Sequence, residues 1–236
     1  MPVIAQLSHV GNRVLDLIPQ QEYAHLRHQL ENTQLRAGLV IYESSQRLDF
    51  VYFPTTAIVS LLYTMEDGST SEMGLVGSDG LIGIALLLGG ETTPNRAVIQ
   101  LGGGALRMKA RAFREEFDRG GQLRPLLLRY AQALMTQIGQ TAVCNCFHTI
   151  EQRLCRWLLQ CDDRLRKNDF SVTQERISSI LGVRRASVTI AAGHLQNAGL
   201  IHYSRGTVTI VDRDGLKAVA CECYKVVKDE FDRLLR

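Results

Sequence analysis

The chain has 236 residues, of which 45% are hydrophobic and 22% are charged, a composition typical of a globular protein with one large or two ordinary domains. A net charge of +3 does not by itself indicate nucleic-acid binding, so any basic surface has to be local. The N-terminus lacks a signal-peptide pattern, and the longest apolar run, residues 81–88, is too short to span a bilayer. We therefore expect a cytoplasmic protein without a membrane partner.

The first half of the chain predicts a β domain. Residues 14–30 form a short amphipathic helical pattern that Pro19 interrupts. From about residue 33 to residue 108, short runs of aromatic and β-branched residues alternate with turn sequences such as EDGS, GSDG and LGGG. Many short strands at this spacing are typical of a small β-sandwich or barrel.

The same region lacks the residues that a metalloenzyme of this architecture needs. A cupin-type site requires histidine and carboxylate ligands inside the barrel, yet no histidine occurs between His28 and His148. The chain also lacks a phosphate-binding P-loop, a G-x-S-x-G nucleophile elbow and an H-E-x-x-H motif. We therefore do not expect an enzyme.

Residues 121–147 predict a long helix with apolar side chains on two stripes. Such a helix can bury one stripe against its own β domain and the other against the same helix of a second chain. The alternative is a single helix packed within one domain. The side chains expected to form the dimerisation helix are Leu123, Leu126, Leu127, Tyr130, Ala133, Leu134, Gln137 and Ile138.

From residue 148 onwards, the pattern is helix, glycine turn, helix and hairpin. Thr173 predicts an N-cap, Gly182 predicts the turn between two short helices, and residues 200–211 predict a β-hairpin with the sequence SRG at its tip. This order of elements is that of a winged helix-turn-helix.

The second of these helices begins with Arg184 and Arg185, where the helix macrodipole disfavours positive charge. In a helix-turn-helix this helix lies in the major groove of DNA, where Arg185 can bind guanine in a bidentate contact and outward-facing Ala186 and Ile190 suit thymine methyl groups. A winged helix used for protein contacts is the alternative. The side chains expected to contact DNA are Thr173, Gln174, Arg184, Arg185, Ala186, Ser187, Thr189, Ile190, Ser204 and Arg205.

A β domain, a long helix and a winged helix containing GVRRASVTIAAGHLQNAGLI together resemble the CRP–FNR transcription regulators over nearly the whole chain. The resemblance implies an α+β fold with a cyclic-nucleotide-binding-like jelly roll in residues 1–120, a dimerisation helix and hinge in residues 121–147, and a winged helix-turn-helix DNA-binding domain in residues 148–236. It also implies a homodimer on a two-fold symmetric double-stranded DNA operator, with RNA polymerase as a further partner. The positions that fit the family pattern best are Thr173, Ile177, Gly182, Arg185, Val188, Leu195, Leu200 and Ile201.

The sequence departs from the family in its DNA-reading residues. The family pattern R-E-x-x-x-R is represented here by Arg185, Ala186 and Ile190, so that the glutamate and the second arginine are absent. We expect a half-site with fewer polar base contacts.

A second departure lies in the family's phosphate-binding cassette. Leu81 or Ile82 stands where a carboxylate would bind the ribose, and an unpaired buried hydroxyl costs roughly 1–3 kcal/mol. Ile138 and Gly139 lie where the family places hydroxyls that contact the base. We therefore do not expect cyclic AMP to bind in the usual way, the alternative being a cyclic-nucleotide- or anion-responsive regulator that uses Arg96. The cassette residues that fit are Gly80, Gly83, Arg96 and Ala97.

The cysteines do not follow a known cofactor pattern. Two C-x-C pairs differ from the usual zinc spacing, and residues two apart on a helix do not face each other. FNR-type relatives hold an iron–sulfur cluster with cysteines upstream of the β domain, whereas no cysteine precedes Cys144 here. We expect reduced, packed thiols and neither a metal nor a cofactor; a redox-responsive regulator that uses Cys144 and Cys146 is the alternative.

Overall fold

The computed structural model describes residues 10–165 and 167–236. Two short helices, α1 (Arg13–Asp16) and α2 (Gln20–Arg27), open this part of the chain, and Pro19 caps the second. Within the described residues, no helix is both long and apolar enough to cross a membrane.

The predicted β-sandwich is confirmed as two antiparallel sheets with the strand orders β1-β7-β3 and β2-β6-β4-β5. Their inward-facing residues interdigitate to form the core of the N-terminal half. A 3₁₀ helix at Ile84–Leu88 follows β5. The strands are β1 (Glu31–Leu35), β2 (Val40–Tyr42), β3 (Phe50–Pro54), β4 (Ile58–Thr64), β5 (Thr70–Val76), β6 (Arg96–Leu101) and β7 (Gly103–Lys109).

The long helix is also confirmed. After α3 (Ala110–Arg119), a helix that the sequence analysis did not predict, α4 runs from Leu123 to Phe147 and α5 from Ile150 to Leu165.

The structure corrects the dimerisation surface on α4. Both predicted stripes lie inside the protomer: the side chains of Leu123, Leu126, Leu127, Tyr130, Ala133, Leu134 and Gln137 are all buried, and Ile138 is half-buried. One stripe packs on the β domain as expected, but the other meets the C-terminal helix of the same chain, as the Tyr130–Phe231 ring contact shows. The sequence analysis attributed this second apolar surface to a partner chain because it did not foresee that helix.

The C-terminal third forms the predicted winged helix-turn-helix. Its wing is a three-stranded sheet in the order β8-β10-β9, rather than a hairpin alone. The elements are β8 (Asp169–Ser171), α6 (Gln174–Leu181), α7 (Arg185–Asn197), β9 (Ile201–Ser204), β10 (Thr207–Ile210), α8 (Arg213–Val219) and α9 (Cys223–Leu234).

The two halves of the molecule exchange core residues. Val227 and Phe231 of α9 belong to the core of the β domain, while Ile58 and Leu75 of the β domain belong to the core of the winged helix. The division at residues 120 and 147 stays a prediction, because the last helix of the chain crosses back onto the first half.

Candidate nucleic-acid interface

The turn between α6 and α7 fixes the direction of the second helix. Gly182 has a φ of +62°, a left-handed conformation that glycine adopts without strain. Its N–H bonds the carbonyl of Ser178, which closes α6. Four apolar side chains on one face then attach α7 to the domain, as the spacing predicted. These buried side chains are Val188, Ala191, Ala192 and Leu195.

The opposite face of α7 is exposed. Arg184 is the N-cap and Arg185 the first helical residue, and both side chains point to the outside. Ile190 is 60% exposed, an unusual position for a large apolar side chain on a water-facing helix. The remaining predicted contacts on this helix are exposed Ala186 and Thr189 and half-buried Ser187.

A shallow groove of about 290 Å³ runs beside the start of α7. It brings together four of the predicted DNA-contacting residues, which come from three different elements. The groove is lined by Thr173, Gln174, Arg185, Tyr203, Arg205 and Gly206. Exposed Ser204, the remaining predicted contact, lies next to Arg205 at the wing turn.

Hydrogen bonds hold the polar residues of the groove in place. The hydroxyl of Thr189 donates to Oε1 of Gln174 at 2.7 Å, which links the two helices of the motif. Thr173 accepts a bond from the Arg176 N–H at 3.3 Å and so caps α6 as predicted. Because these bonds fix the side chains before any ligand arrives, the groove is preorganised.

Tyr203 is a groove residue that the sequence analysis missed. Its hydroxyl donates to the carbonyl of Val172 at 2.8 Å. Burial raises the pKa of Tyr203, and the positive charge of Arg185 beside it opposes that shift. The alternation of residues in the hairpin sequence could have placed Tyr203 on the same side of the wing as the recognition helix.

The arginines of this surface differ from the salt-bridged arginines elsewhere in the chain. In the described residues, Arg184, Arg185 and Arg205 form no salt bridge, whereas Arg164 pairs with Asp79 at 2.9 Å and Arg213 pairs with two aspartates of α5. Arg185 and Arg205 line the groove, and exposed Arg184 is the neighbour of Arg185 at the start of α7. Exposed guanidinium groups without a carboxylate partner suit an anionic ligand.

Comparison with known proteins identifies the domain that carries this surface. Residues 152–219 match the family model of the Crp-like helix-turn-helix domain. This part of the chain is a Crp-like helix-turn-helix domain. FixK2 from Bradyrhizobium japonicum has a similar structure, with 16% sequence identity and a TM-score of 0.69 over 81% of this chain and 98% of that chain.

Two further solved structures share this fold over about four fifths of the chain. A CRP-family transcriptional regulator from Thermus thermophilus is 18% identical, with a TM-score of 0.65 over 80% of this chain and 96% of its own. The c-di-GMP responsive global regulator CLP from Xanthomonas campestris is 14% identical, with a TM-score of 0.61 over 81% and 99% of the two chains. None of the curated protein sequences matches the chain.

The residues that fit the nucleotide cassette serve the β domain itself. A Cβ atom on Gly80 would collide with the Tyr130 side chain, so Gly80 allows α4 to approach closely. Gly83, with a φ of +106°, packs on Val51 in the same way, and Ala97 is fully buried. The fourth residue, Arg96, pairs with Glu43 at 3.2 Å.

The side chains in place of the ribose-binding carboxylate are part of the core. Leu81 and Ile82 are each 1% exposed, and the backbone of Ile82 pairs with Tyr52 of β3. Ile138 is half-buried and Gly139 exposed on α4.

A second cluster of functional side chains lies at the C-terminal end of α4. The cysteine–histidine cluster comprises Cys144, His148, Cys221 and Cys223, whose ligand atoms all lie within 4.8 Å of one another. The sequence analysis missed it because it treated the C-x-C pairs as helical. In the second C-x-C pair, Cys223 lies in α9 but Cys221 lies outside the helices, between α8 and α9. The two thiols of this pair can therefore face the same point.

The thiols of the chain differ in pKa. A hydrogen bond from Cys221 lowers the pKa of Cys144, whereas burial raises the pKa of Cys155 to about 12. Cys146 is exposed and outside the cluster.

Proposed function

We propose that the chain is a transcription regulator of the CRP–FNR type, a homodimer that reads a two-fold symmetric DNA operator through α7 and its wing, without catalysing a reaction. The observation that carries the proposal is the groove beside α7, which is lined by exposed Arg185 and Arg205. Neither of these arginines, nor exposed Arg184 next to Arg185 in the chain, has a carboxylate partner in the described residues. Each subunit would contact one half-site, and the two half-sites would lie about one DNA turn apart, roughly 34 Å. RNA polymerase remains the partner that the family implies.

Within the half-site, we assign different tasks to the exposed residues. Arg185 is placed to bind guanine, and Ala186 and Ile190 to contact thymine methyl groups. Three other residues are assigned to phosphate oxygens. They are Thr173 and Arg205 of the groove and Ser204, the neighbour of Arg205 at the wing turn. In this assignment only Arg185 reads bases. The operator should therefore differ from one that is recognised by the glutamate and the two arginines of the R-E-x-x-x-R pattern.

The dimer would form through a third face of α4. An exposed stripe with a seven-residue repeat joins Leu128, Met135 and Ala142, and a second joins Gln132, Gly139 and Cys146. Met135 is 66% exposed, and a Cβ built on Gly139 meets nothing within 4 Å. Alternating apolar and small side chains at this period form the seam of a two-stranded coiled coil.

The β domain would act without the usual cyclic AMP contact. A ligand phosphate at Arg96 has to compete with Glu43, and Leu81 and Ile82 offer no acceptor for a ribose hydroxyl. Titration of the full chain with cyclic AMP should give no saturable binding. Tight binding that the Arg96→Ala substitution abolishes would overturn this part of the proposal.

Selection of bound sequences from random duplex DNA tests the proposal as a whole. We expect an enriched sequence with two inverted half-sites, bound at moderate salt in the presence of random competitor. The double variant Arg184→Ala/Arg185→Ala should lose the enrichment, while Arg111→Ala, at an exposed arginine of α3, should keep it. Equal binding of every duplex would contradict sequence-specific recognition.

A further inference from the structure

The cysteine–histidine cluster has the dimensions of a metal site. Sγ of Cys144 lies 3.5 Å from Sγ of Cys221, and Sγ of Cys223 lies 3.4 Å from Nδ1 of His148. A tetrahedral zinc ion with Zn–S bonds of about 2.3 Å and a Zn–N bond of about 2.1 Å separates neighbouring sulfurs by about 3.8 Å and sulfur from nitrogen by about 3.6 Å. The two separations therefore agree with those of zinc ligands to within a few tenths of an ångström.

Groups around the cluster complete the pattern of a metal centre. Nε2 of His148 lies 3.2 Å from a carboxylate oxygen of Glu222, which orients the ring so that Nδ1 faces the thiols. Nε2 of Gln140 donates a hydrogen bond to Sγ of Cys223 at 3.1 Å. A carboxylate behind the ligating histidine and an N–H directed at a ligating sulfur are the supports that zinc ligands have in proteins.

Charge around the cluster points the same way. Arg153 and Arg156 are both buried, and the Nε atom of each has no hydrogen-bond partner among the described residues. Both arginines lie close enough to Cys144 for their charges to interact. Arg156 also faces the buried carboxylate of Glu72. Three thiolates and one divalent ion carry a net charge of −1, which these two guanidinium groups can balance without water.

We propose that Cys144, His148, Cys221 and Cys223 bind one Zn²⁺ ion in a closed, four-ligand site. The cysteine thiols give up their protons to solvent as the Zn–S bonds form, and the histidine binds through neutral Nδ1. Three thiolates and one imidazole are an established ligand set for structural zinc. Four ligands leave no open position for a substrate.

The arrangement distinguishes a single ion from two other uses of cysteines. An iron–sulfur cluster contains several iron and sulfide ions, so its ligands stand farther apart than a set confined within 4.8 Å. A disulfide requires a sulfur–sulfur bond of about 2.05 Å, well below the 3.5 Å between Cys144 and Cys221. A disulfide between these two residues is the competing outcome of the test.

The position of the site suggests what the ion does. Cys144 and His148 lie at the end of α4, where the β-domain half meets the winged helix, while Cys221 and Cys223 begin the segment that returns along α4. A zinc ion here would fasten the joint between the two halves and fix the angle at which α7 is held. This regulatory consequence rests on the proposed DNA-binding function; the metal site itself does not.

Metal analysis of the purified full-length chain tests the site. We expect one zinc per chain by plasma mass spectrometry, and visible absorption of tetrahedral thiolate-bound cobalt after exchange with Co²⁺. Cys144→Ser and His148→Ala should lose the metal. Cys146→Ser, which removes the neighbouring exposed thiol, is the matched control and should keep it. His148→Cys should restore binding, because four thiolates also hold zinc.

Two results would overturn the site. The first is a zinc content below about a tenth of an equivalent per chain after purification with zinc supplied. The second is an intact mass lower by two hydrogens, together with a Cys144–Cys221 disulfide found by peptide mapping. If the variants fail to fold, the wild-type chain can be stripped of metal with a chelator and titrated with Co²⁺. The absence of the absorption of thiolate-bound cobalt would then overturn the site. If the purified chain carries one zinc ion, but removal of that ion with a chelator leaves DNA binding unchanged, only the regulatory consequence is overturned.

Discussion

One face of the β domain and the groove beside α7 differ in how their arginines are partnered. In the β domain, Arg96 pairs with Glu43 and Arg107 pairs with a glutamate of the neighbouring strand, so the charges are neutralised within the fold. In the described part of the winged helix, Arg185 and Arg205 have no such partner and line one groove. The comparison teaches that a family pattern alone does not assign a role to an arginine: the partner of each charge also has to be considered, and the proposed DNA surface is the one whose arginines are left unpaired around a groove.

The seam between the halves differs from both. Glu72 of β5 is buried there, bonded to the hydroxyl of Ser60 and close to Arg156 and Arg164 of α5. This carboxyl group is buried in the core, unlike the salt-bridged arginines of the β domain and the exposed arginines of the α7 groove. The predictions below separate these three situations.

The largest effect should come from the exposed stripe of α4. The double substitution Leu128→Glu/Met135→Glu places like charges along the proposed seam and should give a monomer. Because a monomer reads one half-site, operator affinity should fall about 1,000-fold or more, towards non-specific binding. Sedimentation analysis and a gel-shift titration measure the two effects.

Leu39→Glu is the matched control for the stripe, since Leu39 is 56% exposed but lies in the β domain. It should leave a dimer with full affinity. A stable dimer of the α4 double variant would show that the chains associate elsewhere, and the groove of α7 would then need a different two-fold arrangement.

Glu72 should make stability depend on pH. Burial raises its pKa to about 7. The folded chain therefore holds this proton more tightly than the unfolded chain, so the contribution of Glu72 is complete below its ordinary pKa, falls as the pH rises, and is lost above about pH 7. Between low and high pH, the contribution of Glu72 to the free energy of unfolding changes by about 3 kcal/mol.

Urea unfolding of the wild type and of Glu72→Gln between about pH 5 and pH 8 isolates this contribution. The wild type should lose stability across the range relative to the variant, whose amide does not titrate. A wild type that gains stability relative to the variant as the pH rises would mean that Arg156 and Arg164 keep Glu72 ionised, and the seam would then resemble the paired charges of the β domain.

Arg185 provides the next largest effect. Arg185→Ala removes a bidentate base contact and should cost about 1–3 kcal/mol on the selected operator, with relaxed preference at one base pair. Arg185→Lys keeps the charge but lacks the planar pair of donors, so it should recover non-specific affinity and not the base preference. Fluorescence anisotropy on operator and random duplexes measures both. A uniform loss on all duplexes would assign Arg185 to phosphate.

Local signals in the sequence predicted the winged helix well. The N-cap Thr173, the left-handed Gly182 and the inward spacing from Val188 to Leu195 each act within one or two turns of helix, so the residues themselves determine the outcome. The strands of the β domain followed from alternation and turn residues for the same reason.

Signals that depend on distant residues were predicted poorly. The apolar stripes of α4 do not specify whether their cover is α9 or a second chain, and Cys144 and Cys221 are 77 positions apart in the chain. Such contacts arise from the path of the chain after α8, which no local pattern encodes. The third, exposed stripe of α4 was visible as a seven-residue repeat, but the more apolar stripes beside it concealed it.

The smallest effect is expected at the tip of the wing, where Arg205 has a φ of +49° and Gly206 a φ of +78°. Two consecutive left-handed residues form the type I′ turn that Asn-Gly prefers, so Arg205→Asn removes the charge without straining the hairpin. If Arg205 binds phosphate, this variant should weaken binding to every duplex alike. The slope of log K against log salt should then become about 0.9 shallower, because one fewer counterion is released. Arg205→Lys should retain the original slope. An unchanged slope in Arg205→Asn would remove the wing from the DNA contact and leave the unpaired charges of α7 to hold the operator alone.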